Sequence, residues 1–216
     1  MYDNILFDLD GTLTDPGLGI TNSVMYALKQ FGIEPPERKE LYKFIGPPLK
    51  DSFSKYYNFS DIQCDKAIEE YRVYFRDKGL FENYVYEGIP EMLKTLNDNG
   101  KKLVLATSKP EEYAIRILEH FGLYRYFHTV GGASMDGSRS VKSDVILYAL
   151  KKANITDLSS TVMIGDRKHD IIGAKTAYLD SIGVLYGYGS HDELSSAGAT
   201  HIAKNVSDII ELILKK

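Results

Sequence analysis

Three short apolar runs, each closing on a polar residue, constrain this chain most: Ile5-Leu6-Phe7-Asp8, Leu103-Val104-Leu105-Ala106-Thr107 and Thr161-Val162-Met163-Ile164-Gly165-Asp166. A strand with one wet face alternates apolar and polar residues, whereas an unbroken apolar run suits a strand buried on both faces of a parallel sheet. Residues 128–131 and 181–185 are further strand candidates. Helical patterns run over 89–99, 111–121, 143–153 and 169–177, with a last one over 206–214. Strand and helix therefore alternate from about residue 86 onward, which predicts an α/β fold with a doubly wound parallel sheet.

Residues 15–86 break that rhythm directly after the first strand. They contain no convincing strand. Asp15-Pro16 offers a cap followed by proline, and Ile20, Val24, Ala27, Leu28 and Phe31 then recur at helical spacing up to Gly32. A second long helix is predicted over 61–78, with shorter helical pieces around Leu41 and Phe53. The reading is a helical insert on an α/β core: core 1–14 and 87–216, insert 15–86. Fourteen of the 25 tyrosines and phenylalanines fall in the insert, one third of the length. They form either an aromatic core of its own or an aromatic face over a ligand.

A length of 216 residues allows one domain plus such an insertion. The net charge of −4 gives no general attraction to nucleic acid polymers or to anionic membranes. Cys64 is the single cysteine, so no intramolecular disulfide can form. No apolar stretch approaches the roughly 18 residues that span a bilayer. The expectation is a soluble, cytoplasmic protein, a monomer or a weak homodimer.

The first run leads into Asp8-Leu9-Asp10-Gly11-Thr12-Leu13-Thr14. Two carboxylates two positions apart on an extended strand share a face and can address one ligand. Gly11 permits a sharp turn whose free amides can receive phosphate oxygens. Thr107-Ser108 ends the second run. Lys142 opens a helix, with Arg139 as a rival cation, and Gly165-Asp166 is followed four residues on by Asp170. All these positions lie at the C-terminal ends of predicted parallel strands or just beyond, where open α/β sheets bind ligands.

Over nearly its whole length the chain resembles the haloacid dehalogenase-like (HAD) superfamily, in its phosphoglycolate phosphatase-like branch with a helical cap on a Rossmann-like core. The resemblance implies a phosphomonoester hydrolase acting through an aspartyl-phosphate. Asp8 takes the nucleophile's place and Asp10 that of the general acid and base. Thr107, Ser108, Gly11 and Lys142 would hold the phosphoryl group. Mg²⁺ would be held by Asp8, the backbone carbonyl of Asp10 and Asp166, with Asp170 orienting its water. The chemistry is sound without the name, because a carboxylate in line with phosphorus splits hydrolysis into two easier steps. A neighbouring carboxyl can protonate the leaving alcohol and then activate water. An oxygen-only donor set suits Mg²⁺ better than zinc.

Other branches fit less well. Dehalogenases lack an acid two residues after the nucleophile and transport ATPases have Lys-Thr there, so Asp10 speaks against both. A β-phosphoglucomutase-like phosphotransferase holds off water with cap residues that include a histidine, whereas this chain reads Gly17-Leu18-Gly19-Ile20-Thr21-Asn22 and has no histidine before His120. A non-catalytic phosphate-binding regulator would have lost Asp8, Asp10 or Asp166. The expected substrate is a small soluble phosphomonoester, either phosphoglycolate-like or a 5′-nucleotide whose base stacks on the aromatic insert. The loop 44–49, with Gly46-Pro47-Pro48, is a candidate for shaping selectivity.

Overall fold

A computed structural model describes residues 2–215. The chain opens with β1 (Asn4–Phe7) and passes through β2 (Thr14–Asp15) into α1 (Gly17–Gln30). A 3₁₀ segment (Arg38–Phe44), α2 (Leu49–Tyr57) and α3 (Asp61–Tyr74) follow, and a single π turn (Phe75–Gly79) extends α3. The chain returns through β3 (Tyr84–Val85), which pairs with β2. Then come α4 (Ile89–Asp98), β4 (Lys102–Pro110), α5 (Glu111–His120), β5 (Thr129–Ala133), α6 (Lys142–Lys152) and β6 (Thr161–Gly165). The chain ends with α7 (Lys168–Thr176), β7 (Asp180–Val184), α8 (His191–Ala197), β8 (His201–Ala203) and α9 (Val206–Leu214). Two compact units result, Asp15–Tyr84 and the remainder.

The larger unit carries a six-stranded parallel sheet in the order β5-β4-β1-β6-β7-β8, as the alternation of strands and helices predicts. The chain moves outward from β1 through β4 to β5 and then returns to β6 on the other side of β1. The order therefore reverses between β1 and β6, the place where such sheets open a crevice for ligand. Strand β6 is buried throughout and β1 from Ile5 onward, which explains their unbroken apolar runs. Leu6, Val104, Ala106 and Met163 pack with Val145, Ile146, Ala149 and Ala174 of α6 and α7. Helices α4 and α9 pack on each other and bury Met92, Leu93, Leu96, Ile209 and Ile213.

At β5, an edge strand, side chains satisfy the open backbone. Lys152 donates to Val130 O (3.0 Å), Gly132 N–H donates to Glu111 (3.1 Å), and Arg139 Nε donates to Gly132 O (2.9 Å). An edge so capped cannot template another chain. Elements α8 and β8 have seven and three residues, too few to leave a periodic trace. The segment 15–86, read as lacking a strand, does contain one: β3 lies inside its end and pairs with β2 at its start, two residues each and too short to leave a pattern. Helix α1 starts one residue later than its cap signal suggests: Asp15 Oδ1 accepts from Gly17 N (2.9 Å) across Pro16. Among the described residues no helix is long and apolar enough to cross a membrane.

In the smaller unit part of the aromatic set forms a core, while Tyr42, Phe81 and Tyr84 are exposed. Phe53 is fully buried, with Phe44 at 5.1 Å and Phe59 stacked at 5.9 Å between ring centroids, and Phe31 stacks on Phe59 at 4.7 Å. Helix α3 begins with a capping box between Ser60 and Gln63. Where α1 meets the π turn, a Cβ on Gly19 would lie 1.9 Å from the Gly79 carbonyl oxygen. Two backbones touch there, and neither can yield by rotating a side chain. Gly19→Ala should therefore destabilise the protein by about 1–3 kcal/mol through overpacking. Thermal unfolding should show a Tm lowered by roughly 3–10 °C; an unchanged Tm would refute this contact.

Candidate active site

The switch between β1 and β6 decides where the acids sit. Phe7 pairs with Ile164, and Asp8 N extends the ladder by donating to Ile164 O at 2.9 Å. Asp8 and Asp166 thus leave neighbouring strand ends side by side. Asp170 follows one turn later, where its Oδ2 accepts from Arg167 N at 3.0 Å and caps α7. Carboxylate oxygens of Asp8, Asp166 and Asp170 lie within 4.8 Å of one another, all three residues buried.

One ammonium enters this cluster. Lys142, the first residue of α6, is 6% exposed and donates to Asp8 Oδ1 (2.6 Å), Asp170 Oδ1 (2.7 Å) and Ala106 O (2.9 Å). A lysine has three N–H donors, and all three are used. Burial alone would push this lysine's pKa down, but Asp170 and Asp8 outweigh it and hold the ammonium charged. The rival cation is elsewhere: the Arg139 guanidinium stacks 3.6 Å from the centroid of Tyr148 while its Nε caps the sheet edge.

Ionising all three carboxylates against one ammonium would leave an excess of two negative charges. Burial raises the pKa of Asp166 well above the carboxylate range, and the neighbouring Asp170 and Asp8 add to it. Burial likewise lifts Asp170 to about 6 against the opposing pull of Lys142. Asp166 Oδ2 accepts from Tyr188 N (2.8 Å), but its Oδ1 is buried with no hydrogen-bond partner. An orphaned carboxylate oxygen in an all-oxygen cluster whose ionised form is short of positive charge fits a hard divalent cation. His169 is exposed and outside this group.

Space for Asp166 comes from glycines. A Cβ on Gly11 would lie 2.2 Å from Asp166 Oδ2, one on Gly187 2.4 Å from Asp166 Cβ, and one on Gly189 1.9 Å from Asp166 O. Gly165 likewise clears Asp170, whose Cγ would sit 2.2 Å from an added Cβ. Gly187 and Gly189 were not among the expected site residues. Their only signal is the Gly-Tyr-Gly triplet beyond β7, which supplies the Tyr188 amide.

Two expectations about the first motif are corrected. Strand β1 stops at Phe7, so Asp8 and Asp10 are not adjacent same-face positions of an extended strand. Asp10 lies in the following turn and pairs through Oδ2 with Lys109 Nζ at 2.8 Å. The Gly11 amide is not open to phosphate, because it donates to Thr14 O at 2.7 Å while Thr12, Leu13 and Thr14 donate to Leu9 O. Gly11 is needed instead for its φ of +85° and its approach to Asp166. Asp10 is largely buried, which raises its pKa against the opposing effect of Lys109.

Thr107, 1% exposed, stands near the end of β4, and Ser108 beside it is half-buried. Thr107 Oγ1 accepts from Lys109 N at 3.2 Å. Lys109 is the residue that sequence reasoning passed over, since a lysine before proline at a strand end reads as an ordinary helix approach.

Comparison with known proteins gives the family. Residues 5–184 match the haloacid dehalogenase-like hydrolase family. The chain is 43% identical over 212 residues to a 5′-nucleotidase of Pseudomonas aeruginosa, covering 98% of this chain and 96% of that one. It is 37% identical over 209 residues to the tyrosine-protein kinase PtkA of Mycobacterium tuberculosis, covering 96% of this chain and 70% of that one. The crystal structure of a predicted phosphatase from Clostridium acetobutylicum matches it with a TM-score of 0.96 at 50% identity over 100% of both chains. The chain belongs to the haloacid dehalogenase-like hydrolase family and is a phosphatase of that superfamily.

Proposed function

We propose that this phosphatase is a Mg²⁺-dependent phosphomonoester hydrolase that works through an aspartyl-phosphate on Asp8 and takes nucleoside 5′-monophosphates. The observation that carries the reaction is the buried cluster of Asp8, Asp166 and Asp170 around a single ammonium. Asp8, Asp166 and the backbone carbonyl of Asp10 would hold Mg²⁺, with Asp170 beside them. When bound, the ion neutralises charge on the phosphoryl oxygens.

The remaining steps fall to the protein's own groups. Lys142 fixes the Asp8 carboxylate through Oδ1; with every N–H engaged, it acts on the incoming phosphoryl group through its charge. Thr107 and Ser108 offer hydroxyls for phosphoryl oxygens at the end of the adjacent strand. Asp8 forms a bond to phosphorus as the ester P–O bond breaks, and the leaving oxygen keeps that electron pair. Asp10, whose carboxyl form burial favours against the pull of Lys109, gives this oxygen its proton. Asp10 then takes a proton from water, which attacks phosphorus and frees Asp8.

The substrate reading rests on the name of the Pseudomonas relative rather than on a stacking platform, since Phe31, Phe44, Phe53 and Phe59 are used in the smaller unit's own core. Chelation should abolish turnover, and Mg²⁺ should restore it. Because the ion relieves buried like charges, saturating Mg²⁺ should also raise stability, by about 2.7 kcal/mol at a hundredfold excess over Kd. Full activity after chelation, or a Tm indifferent to Mg²⁺, would contradict the metal assignment.

A panel of 5′-nucleotides, ribose 5-phosphate and 2-phosphoglycolate tests the substrate. Recognition of the base should favour nucleotides in kcat/KM by roughly tenfold, which corresponds to about 1.4 kcal/mol. Equal rates on nucleotides and ribose 5-phosphate would reject nucleotide selectivity. Transfer from ATP to a tyrosine peptide faster than ester hydrolysis would place the activity with that of PtkA instead.

A further inference from the structure

Lys109 has no part in the reaction described above, yet its placement is specific. Its side chain is 5% exposed, and its ammonium is 2.8 Å from Asp10 Oδ2. The pairing of β4 with β5 shifts register between Thr107 and Pro110: Thr107 faces Gly132, while Pro110 already faces Ala133. Two extra residues, Ser108 and Lys109, are thus bulged out of the ladder. Such bulges re-aim side chains next to functional sites. This one is pinned by the Lys109 amide donating to Thr107 Oγ1 at 3.2 Å. Asp10 has one oxygen on Lys109, while its other, Oδ1, is buried with no hydrogen-bond partner.

We infer that Lys109 is a positioning residue that anchors Asp10 Oδ2, so that Oδ1 alone faces the leaving oxygen of the ester and exchanges its proton. Without the anchor, a carboxyl in a turn can rotate about its χ angles and present either oxygen or neither. The inference rests on the proposed role of Asp10 as acid and base. It divides labour between two buried lysines: Lys142 serves the nucleophile, and Lys109 serves the proton. The two can be told apart because a proton on the leaving oxygen matters only when that oxygen leaves poorly.

The experiment compares kcat and KM of the Mg²⁺-loaded wild type, Lys109→Met, Lys109→Gln and Asp10→Asn on two esters. Ribose 5-phosphate has an alkoxide leaving group that needs a proton, whereas the nitrophenolate of p-nitrophenyl phosphate departs without one. General acid catalysis contributes about 10²–10⁴-fold, so Asp10→Asn should lose far more kcat on ribose 5-phosphate than on the aryl ester. Lys109→Met should show the same bias, its loss on the alkyl ester exceeding that on the aryl ester by about tenfold or more, with KM little changed. Lys109→Gln, which keeps a donor without the charge, should recover part of the alkyl activity and covers the case that the methionine variant fails to fold.

Equal losses on both esters would overturn the inference, because they would make Lys109 a phosphoryl ligand or a structural prop. No loss on either would overturn it as well. A selective loss in Asp10→Asn without one in the Lys109 variants leaves the reaction standing and removes the role of Lys109. Absence of selectivity in Asp10→Asn removes the assignment of Asp10 and this inference together.

Discussion

The Lys142 ammonium, shared between Asp8, Asp170 and the Ala106 carbonyl, is the interaction on which the rest of the site depends. Carboxylates gathered at the meeting of two buried strand ends repel one another and lose water. Breaking a buried pair by removing one partner costs about 3–5 kcal/mol, because a bare charge is left inside. The lysine supplies one counter-charge for three acids, so ionising all three would leave two negative charges uncompensated, which burial opposes by raising the pKa of Asp166 and Asp170. A site balanced in this way is stable enough to fold and still open to a divalent cation and a phosphoryl group. Its electrostatics follow from the topology, since only the reversal between β1 and β6 sets Asp8 beside Asp166.

Close packing around these acids is the second constraint. Gly11, Gly165, Gly187 and Gly189 each stand where a Cβ would collide with Asp166 or Asp170. They come from the turn after β1, the end of β6 and the segment after β7, so separate parts of the chain converge on these two residues. The hydrogen bond from Tyr188 N to Asp166 Oδ2 leaves the buried Oδ1 as the unused oxygen of the cluster. Rigid first contacts of this kind set a carboxylate's position without spending its remaining oxygen.

Much of this was legible in the sequence, for identifiable reasons. Unbroken apolar runs mark buried parallel strands, and the polar residue closing each run falls at the ligand end of the sheet; Asp8, Thr107 and Asp166 were found that way. The family resemblance together with helix register favours Lys142 over Arg139, and the structure brings Lys142 to Asp8 while Arg139 caps the β5 edge. What stayed hidden depends on distant pairing. Lys109 gains meaning from a bulge in β4, Gly187 and Gly189 from their approach to Asp166, and the Gly11 amide loses its expected freedom to Thr14 O. Helix α8 and strand β8 were too short for periodicity to register. The aromatic residues of 15–86 were read with two meanings, and packing resolves Phe31, Phe44, Phe53 and Phe59 as core.

The central claim is that Asp8 carries the phosphoryl group, and borohydride trapping tests it most directly. An acyl phosphate is reduced by borohydride, whereas a free carboxylate is not. Enzyme turning over a phosphomonoester with Mg²⁺ is quenched with borohydride, digested and sequenced by mass spectrometry, alongside substrate-free enzyme and Asp8→Asn as blanks. The account predicts reduction confined to Asp8, only with substrate present and absent from both blanks. Turnover with an unmodified Asp8, or reduction at another acid such as Asp10, would contradict it.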